Sequence, residues 1–195
     1  MLVALDTMNY WIEGKKDSLR RVLGDIDVLF IDEGEVRDLA GEVNLVKASR
    51  QIMELGPTVI VLKRGDHGVL MFQGESAFAA PAFPLERVVD PTGAGDSFAG
   101  GFLGYLAATG DLGDEGFRKA AVLGSVMGSF AVEGFSLDRL RTLKAAEIEA
   151  ITVSAAGLTG FFLQEVVGGA ALGLGFGYVG YHALKSIDDH PLELL

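Results

Sequence analysis

A thirteen-residue stretch, Asp90–Phe102 (DPTGAGDSFAGGF), has the residue types and spacing best suited to chemistry. Within it the small residues Gly93, Ala94 and Gly95 are followed by one carboxylate, Asp96. Where a helix begins, backbone N–H groups point outward and carry partial positive charge, so a phosphate can approach a loop that lacks large side chains. A carboxylate beside such an anion-binding loop suits a general base. The alternative is that Asp96 only caps the helix.

The residues around this stretch predict how it is built. The apolar pair Val88-Val89 precedes it, and Phe98, Phe102 and Leu106 recur on one helical face after it. This order is typical of a strand, a glycine loop and a helix. The arrangement places the first turn of the helix at the end of a strand.

An acidic motif ends another apolar run, at Leu29–Glu35 (LFIDEGE). Two of its three carboxylates, Asp32 and Glu35, offer hard oxygen ligands that suit Mg²⁺, often through water. The alternative is a solvated acidic helix start, which the helix dipole favours without any metal.

A glycine-containing motif, Lys63–Gly68 (KRGDHG), follows the β-branched stretch Thr58–Leu62. Taken alone, Gly-x-x-Gly between two strands is more often a plain turn than a ligand site. We interpret His67 as a loop residue and not a metal ligand, because no second histidine lies near it in the sequence.

The pattern of the first 150 residues predicts the elements that carry these motifs. Short apolar runs alternate with amphipathic stretches, which is typical of an α/β protein with a mostly parallel sheet. Strands are predicted at Leu2–Leu5, Val28–Ile31 and Thr58–Leu62, and a hairpin of Gly68–Phe72 and Ser76–Ala80 around Gln73-Gly74-Glu75. Helices are predicted at Lys15–Leu23, Glu35–Ala40 and Val43–Leu55, with three more after Gly95.

The stretch Asp90–Phe102 resembles the second signature of the PfkB, or ribokinase-like, family of carbohydrate kinases. The resemblance extends over about residues 1–150 and corresponds to the C-terminal half of such a kinase. It implies a ribokinase-like three-layer α/β/α sandwich, N-terminally truncated and followed here by an extra glycine-rich apolar helix. It also implies ATP-dependent transfer of a γ-phosphoryl group to a hydroxyl of a sugar or nucleoside acceptor.

The resemblance assigns a role to each residue of the central loop. Asp96 would be the catalytic base, and the N–H groups of Gly93, Ala94, Gly95 and Asp96 would form the anion hole for the transferring phosphoryl group. Phosphoryl transfer depends mainly on positioning and charge stabilisation, so this small set of groups is a sufficient minimum.

The other motifs take supporting roles by the same resemblance. Asp32 and Glu35 match the family's Asn-x-x-Glu motif of the magnesium–phosphate network, with Asp32 in place of the asparagine. The nucleotide side is implied for Lys63, Gly65 and Gly68, together with Asp32. A monovalent cation such as K⁺ is implied at Asp90 and Thr92.

The family's N-terminal half, with its sugar-binding residues and lid, has no counterpart here, although Asp6 and Asn9 could be remnants of the substrate side. A lid excludes water and completes a site, so we expect weak or absent turnover from this chain. A nucleotide-binding module without catalysis is therefore the alternative function. The acceptor's identity and the oligomeric state stay open.

The chain carries 16 basic and 27 acidic residues and no cysteine. A disulfide scaffold, a Cys-ligated metal site and a thiol nucleophile are therefore excluded, and a broad basic surface for nucleic acid is not expected. No signal peptide is recognisable, which favours the cytoplasm for residues 1–150.

The tail differs from the rest of the chain. Its Val166–Leu184 segment has no formal charge and six glycines, and its length is at the lower limit for crossing a bilayer. From about Ile151 the tail resembles a segment of bacterial cation:proton antiporters. We therefore predict a boundary near residue 150 and a possible transmembrane fragment that associates with the inner membrane, with a soluble packed helix as the alternative. A further alternative is a membrane-associated chimera without activity.

Overall fold

Apolar β-branched and aromatic residues form the central strands of the sheet. The structure is a computed structural model, and it describes residues 1–148. Within these residues five strands form one sheet in the order β1-β2-β3-β4-β5. The strands are β1 (Ala4–Asp6), β2 (Val28–Asp32), β3 (Val59–Lys63), β4 (Val69–Gln73) and β5 (Ser76–Ala80). The first three are mutually parallel, whereas β4 and β5 join in antiparallel fashion. The predicted α/β class and hairpin are confirmed.

α-Helices on both sides of the sheet bury its two faces within residues 1–148. The helices within these residues are α1 (Asn9–Gly14), α2 (Lys16–Leu23), α3 (Glu33–Ala40), α4 (Leu45–Met53), α5 (Ala94–Thr109), α6 (Asp114–Val132) and α7 (Asp138–Thr142). The short helix α7 contacts α6 instead. The sequence analysis missed α1. The predicted tail segment 166–184 lies outside the described residues, and no helix within 1–148 is both long enough and apolar enough to span a bilayer.

Alternation along the strands separates two apolar cores. On one face Leu29, Ile31, Ile60 and Leu62 pack with residues of α1–α4. On the other face, residues of β2–β5 pack with Phe98, Phe102 and Leu106 of α5 and with α6; the strand residues include Val28, Phe30, Val59 and Val61. Because successive side chains of a strand point to opposite faces, one strand sequence serves both cores. The three layers of the predicted α/β/α sandwich follow from this division.

The prediction of a strand at Val88-Val89 is wrong. No strand is assigned there, and the two valines are 59% and 44% exposed. The N–H groups of Val89 and Asp90 instead donate to the carbonyl of Val132 at the end of α6. An apolar pair is too short to identify a strand, because the tertiary contact with α6 decides its structure.

Close packing of α5 against α6 depends on glycine. A Cβ placed on Gly124 of α6 would lie 2.8 Å from the carbonyl oxygen of Phe98 in α5. A Cβ placed on Gly101 of α5 would lie 2.7 Å from Cγ of Met127. The Gly124 contact is with backbone, which cannot move aside as a flexible side chain can. The helices therefore approach more closely at Gly124 than any larger residue permits.

We predict that Gly124→Ala destabilises the protein by about 1–3 kcal/mol, because the added methyl overpacks the α5–α6 contact. Gly104→Ala on α5 is the matched control, since a Cβ there meets nothing within 4 Å among the described residues. Because alanine has a higher helix propensity than glycine, the control should be as stable as the wild type or more stable by up to about 1 kcal/mol. Urea unfolding of the full chain measures both, and equal stability of the two variants would contradict the packing argument.

Candidate active site

The ends of the three parallel strands gather charged side chains on one side of the sheet. In the strand register Asp6 is paired with Phe30, and Asp32 is paired with Lys63. Asp6, Asp32 and Lys63 therefore lie on the face that carries Phe30, which is the face covered by α5. Each strand is apolar where α5 covers it and ends in a charged residue at the start of the helix.

Lys63 forms an ion pair with Asp6 beside the first turn of α5. Its ammonium donates to both carboxylate oxygens of Asp6, each at 2.7 Å. The two side chains are 20% and 27% exposed. The same Nζ lies 3.0 Å from the position that a Cβ on Gly95 would take. The absence of a side chain at Gly95 therefore lets the ammonium lie against the start of α5.

The loop before α5 turns sharply into the helix at Gly93, whose φ of 81° is in the left-handed region that favours glycine. Gly93 is the N-cap, so Ala94, Gly95 and Asp96 form the first turn. The structure shows no side-chain cap bond at this terminus, and Asp96 is not the capping residue. Within residues 1–148 the N–H groups of Gly95 and Asp96 have no hydrogen-bond acceptor, as is usual for the first turn of a helix.

Asp32 and Glu35 form a reciprocal capping box at the start of α3. The Glu35 N–H donates to Oδ1 of Asp32 at 2.7 Å, and the Asp32 N–H donates to Oε2 of Glu35 at 3.1 Å. Glu35 is only 5% exposed, so the expectation of a solvated acidic helix start is wrong for this carboxylate. Each carboxylate uses one oxygen in the box, which leaves a second oxygen for another ligand.

Burial raises the pKa of the Glu35 carboxyl above its ordinary value. The N–H of Asp32 opposes this shift, the charges of Asp32 and Asp6 add to it, and the Lys63 ammonium opposes it. Glu35 therefore interacts electrostatically with Lys63 and Asp6. We call Asp6, Asp32, Glu35 and Lys63 the charged cluster.

The loop after β3 combines an ion pair with two glycines of different character. Arg64 donates to Glu33 at 2.8 Å, and Arg37 donates to the same carboxylate at 2.7 Å. These hydrogen bonds lower the pKa of Glu33, and that of Arg64 has the largest effect. Gly65 has a φ of 56° and open space around it, whereas a Cβ on Gly68 would clash with the Ala80 carbonyl. Packing against β5 is therefore sufficient reason for the glycine at position 68.

Asp90 and Thr92 meet in a tight turn before α5. The Thr92 N–H donates to Oδ1 of Asp90 at 2.9 Å, and this hydrogen bond is the main cause that lowers the pKa of Asp90. His67 lies outside the cluster, where its Nδ1 is 2.7 Å from Oδ1 of the exposed Asp66. Among residues 1–148 no group of three or more His, Cys, Asp or Glu side chains is arranged to hold a metal.

The structure brings Lys63 beside the first turn that carries Asp96, and it joins Asp32 and Glu35 in one capping box at the start of α3. The functional roles that the motifs predict for these residues stay predictions. Asp6, which the sequence analysis names only as a remnant of the substrate side, instead joins Lys63, and Asn9 begins α1. The signal for Asp6 is an acidic residue at the end of the short apolar run Leu2–Leu5, and its partner lies 57 residues later in the sequence. An apolar groove of about 440 Å³ on the outer side of α5 and α6 is a separate feature, lined by Gly100, Gly104, Met127 and Leu140 among others.

Comparison with known proteins identifies the family. The family model described as pfkB family carbohydrate kinase matches residues 1–139. The chain belongs to the pfkB family of carbohydrate kinases. The match includes the loop Asp90–Phe102 and the strands that surround it.

Curated pfkB relatives are kinases of small molecules. The chain is 39% identical over 94 residues to the cytidine kinase of Thermococcus kodakarensis, covering 47% of this chain and 34% of that protein. It is 27% identical over 132 residues to a nucleoside kinase of Methanocaldococcus jannaschii, covering 68% of this chain and 41% of that protein. The chain therefore spans well under two thirds of the length of these relatives.

Solved pfkB-like structures share the fold. The aminoimidazole riboside kinase of Salmonella enterica, complexed with aminoimidazole riboside and an ATP analog, superposes with a TM-score of 0.66 at 24% identity, over 76% of this chain and 51% of that one. A protein from Escherichia coli assigned as ribokinase II, in complex with ATP and Mg²⁺, gives a TM-score of 0.66 at 25% identity, over 78% and 49%. The ribokinase-like α/β fold is confirmed.

We predict opposite pH dependences for the two glutamates of this region. The folded-state pKa of Glu35 lies above its ordinary value of 4.5, so the folded protein holds that proton more tightly. Relative to Glu35→Gln, the wild type should therefore lose stability as the pH rises upward from 4.5 through the folded-state pKa.

Glu33 provides the control of opposite sign, because Arg64 and Arg37 lower its pKa below 4.5. The contribution of Glu33 to the free energy of unfolding should be present above pH 4.5 and lost as the pH falls through the folded-state pKa. Relative to Glu33→Gln, the wild type should therefore lose stability as the pH falls. Urea unfolding of the full chain over a pH series measures both slopes. The same slope for the two variants would contradict the assignment of buried and paired carboxylates.

Proposed function

We propose that this chain carries the nucleotide-binding loop and the general base of an ATP-dependent phosphotransferase. Such an enzyme moves a γ-phosphoryl group to a hydroxyl of a sugar or nucleoside. Membership of the pfkB family supports kinase activity broadly. The observation that carries the finer proposal is the first turn of α5, where the N–H groups of Gly95 and Asp96 have no acceptor within residues 1–148 and the Lys63 ammonium lies against Gly95.

The backbone from Gly93 to Asp96 supplies the anion hole in this proposal. The N–H groups of Gly95 and Asp96 lie at the positive end of α5 with no acceptor among residues 1–148, whereas the Ala94 N–H donates to the Pro91 carbonyl at 3.2 Å and would have to leave it to bind a phosphate. Charge that spreads onto the phosphoryl oxygens in the transition state is stabilised by such preorganised donors. The Gly93 turn fixes these donors before any substrate arrives.

Asp96 is the general base. The exposed carboxylate sits in the first turn of α5 and accepts no hydrogen bond from residues 1–148. It takes the proton of the acceptor hydroxyl while that oxygen forms its bond to the γ-phosphorus. The bond from this phosphorus to the bridging oxygen breaks, and ADP carries away the electron pair. The proton ends on an oxygen of Asp96.

The residues present fit Mg²⁺, which would supply charge neutralisation for the phosphates. Asp32 and Glu35 each keep one carboxylate oxygen outside the capping box, and Glu35 interacts electrostatically with Lys63, which lies beside the first turn of α5. Mg²⁺ commonly binds through one or two carboxylates, waters and substrate phosphates. Asp90 and Thr92 are the residues proposed for a monovalent cation such as K⁺. Lys63, Gly65 and Gly68 face the nucleotide side in the same proposal, although Gly68 is also required by packing.

A nucleotide-binding module without turnover is the second candidate function. The groups at the first turn of α5 serve either candidate, because backbone N–H groups and a nearby ammonium suit a phosphate whether or not an acceptor is present. In the second case ATP would bind at α5 without an acceptor beside it. ADP release that depends on an added nucleoside or sugar separates the two candidates. For the tail we retain the proposal of a separate segment beginning near residue 151.

We predict that Asp96→Asn lowers phosphoryl transfer by about 10²–10⁴-fold, because the loss of a general base costs about that much. Binding of ATP with Mg²⁺ should remain close to that of the wild type, since the amide keeps the shape of the first turn. Coupled detection of ADP release with cytidine and deoxyribose as acceptors gives the rate, and calorimetry gives the affinity.

Asp114→Asn is the matched control, because Asp114 is also an exposed acid in the first turn of a helix, at the start of α6. It removes the same charge and the same interaction with a helix dipole but lies outside the site. Unchanged turnover in Asp96→Asn would overturn the assignment of the base. Equal losses in both variants would show a general effect of helix charge instead.

A further inference from the structure

The Lys63–Asp6 ion pair lies where a bound phosphate would need a cation. The ammonium contacts Asp6 through two hydrogen bonds and lies beside Gly95 in the first turn of α5. A phosphate oxygen bound by the N–H groups of Gly95 and Asp96 would therefore come within reach of Nζ. Two anions, one in the protein and one in the ligand, have access to a single ammonium.

Charge around the pair makes this competition strong. Asp6, Asp32 and Glu35 contribute three carboxyl groups to the cluster, and Lys63 contributes one positive charge. The nearby Arg64 is engaged with Glu33 and does not serve the cluster. A polyphosphate that entered while Lys63 stayed on Asp6 would meet a net negative site at short range. Transfer of the ammonium to the incoming phosphate reduces that repulsion.

Lysine suits an exchange of partners. Its ammonium carries three donors on a flexible four-carbon stem, whereas arginine presents a rigid fork. Asp6 occupies two of the three donors before a ligand arrives. It also holds the stem across the strand ends, since Lys63 and Asp6 belong to β3 and β1, on either side of β2. Gly95 leaves the space in which the ammonium lies against the first turn of α5, so the ammonium can turn from Asp6 to a phosphate without a large movement.

We propose that Asp6 and a ligand phosphate compete for the Lys63 ammonium, and that Lys63 exchanges Asp6 for a phosphate oxygen when a polyphosphate binds at α5. This inference rests on the proposed phosphate site at Gly93–Asp96. Asp6 is then a positioning residue: it keeps Lys63 at the site and lowers the intrinsic affinity for phosphate. Lys63 is the group that contacts the ligand.

The test is a titration of the full-length, ¹⁵N-labelled chain with inorganic tripolyphosphate, followed by NMR. The Lys63 ammonium signal and the backbone amides of Gly95 and Asp96 are the readouts, with Lys47 on the exposed surface of α4 as the reference ammonium. We expect saturable shifts of the Lys63 signal and of both amides at the same ligand concentration, and none at Lys47.

Two variants test the exchange of partners. Lys63→Met should weaken tripolyphosphate binding by about tenfold or more, the magnitude of losing a charged hydrogen bond. Asp6→Asn should strengthen it several-fold, because the competing carboxylate is gone. Lys47→Met and Glu75→Gln are the controls, since Glu75 belongs to an exposed ion pair with Arg50 far from the cluster. Neither control should change the affinity.

The outcomes separate this inference from the proposed function. Shifts of the Gly95 and Asp96 amides without a shift of Lys63 would overturn the exchange and leave the anion hole intact. Weaker or unchanged binding in Asp6→Asn would overturn the competition even if Lys63 contacts the ligand. No shift at any of these positions would reject both the phosphate site and the exchange.

Discussion

The contact of Phe30 with α5 fixes where that helix begins, and the geometry of the site depends on it. The Phe30 ring meets Phe102 edge to face at 5.2 Å between centroids and Phe98 at 6.2 Å. Edge-to-face pairs add specificity to apolar burial. Because Phe98 is one turn from the start of α5, this contact places Gly95 beside Lys63 at the end of β3.

The charged cluster follows from the same layer arrangement. The Lys63 ammonium and three carboxyl groups lie where the apolar core ends. Asp6, Asp32 and Lys63 are the last residues of β1, β2 and β3, and Glu35 lies in the first turn of α3. Burial of Glu35 would be costly for an isolated charge, and the capping box with Asp32 supplies hydrogen bonds that offset it. The cluster is therefore a consequence of how the strands end, and it is also the chemistry that a phosphate would meet.

Local pattern predicted the five strands and most of the helices within residues 1–148, although it also predicted a strand at Val88-Val89 that the structure lacks. The roles of the site residues stay predictions that rest on the motifs. The Thr58–Leu62 run predicted β3 because β-branched residues favour a strand, and Asp90–Phe102 identified the loop because glycines permit its turn. Long-range contacts were not predictable in the same way. Asp6 joins Lys63 only through the parallel register of β1, β2 and β3, and the irregular path at Val88 depends on a carbonyl in α6. The motif suggested Gly68 as a ligand residue, whereas the structure also requires it for packing against Ala80.

The most direct test of the account is calorimetry of ATP binding to the full chain, with and without Mg²⁺, in the wild type, Gly95→Leu and Gly104→Leu. A leucine at 95 fills the space between Lys63 and the first turn, whereas a Cβ at Gly104 meets open space among the described residues. The account predicts saturable, Mg²⁺-dependent binding that Gly95→Leu abolishes and Gly104→Leu retains. Equal binding by all three proteins, or none by the folded wild type, would contradict a phosphate site at the start of α5.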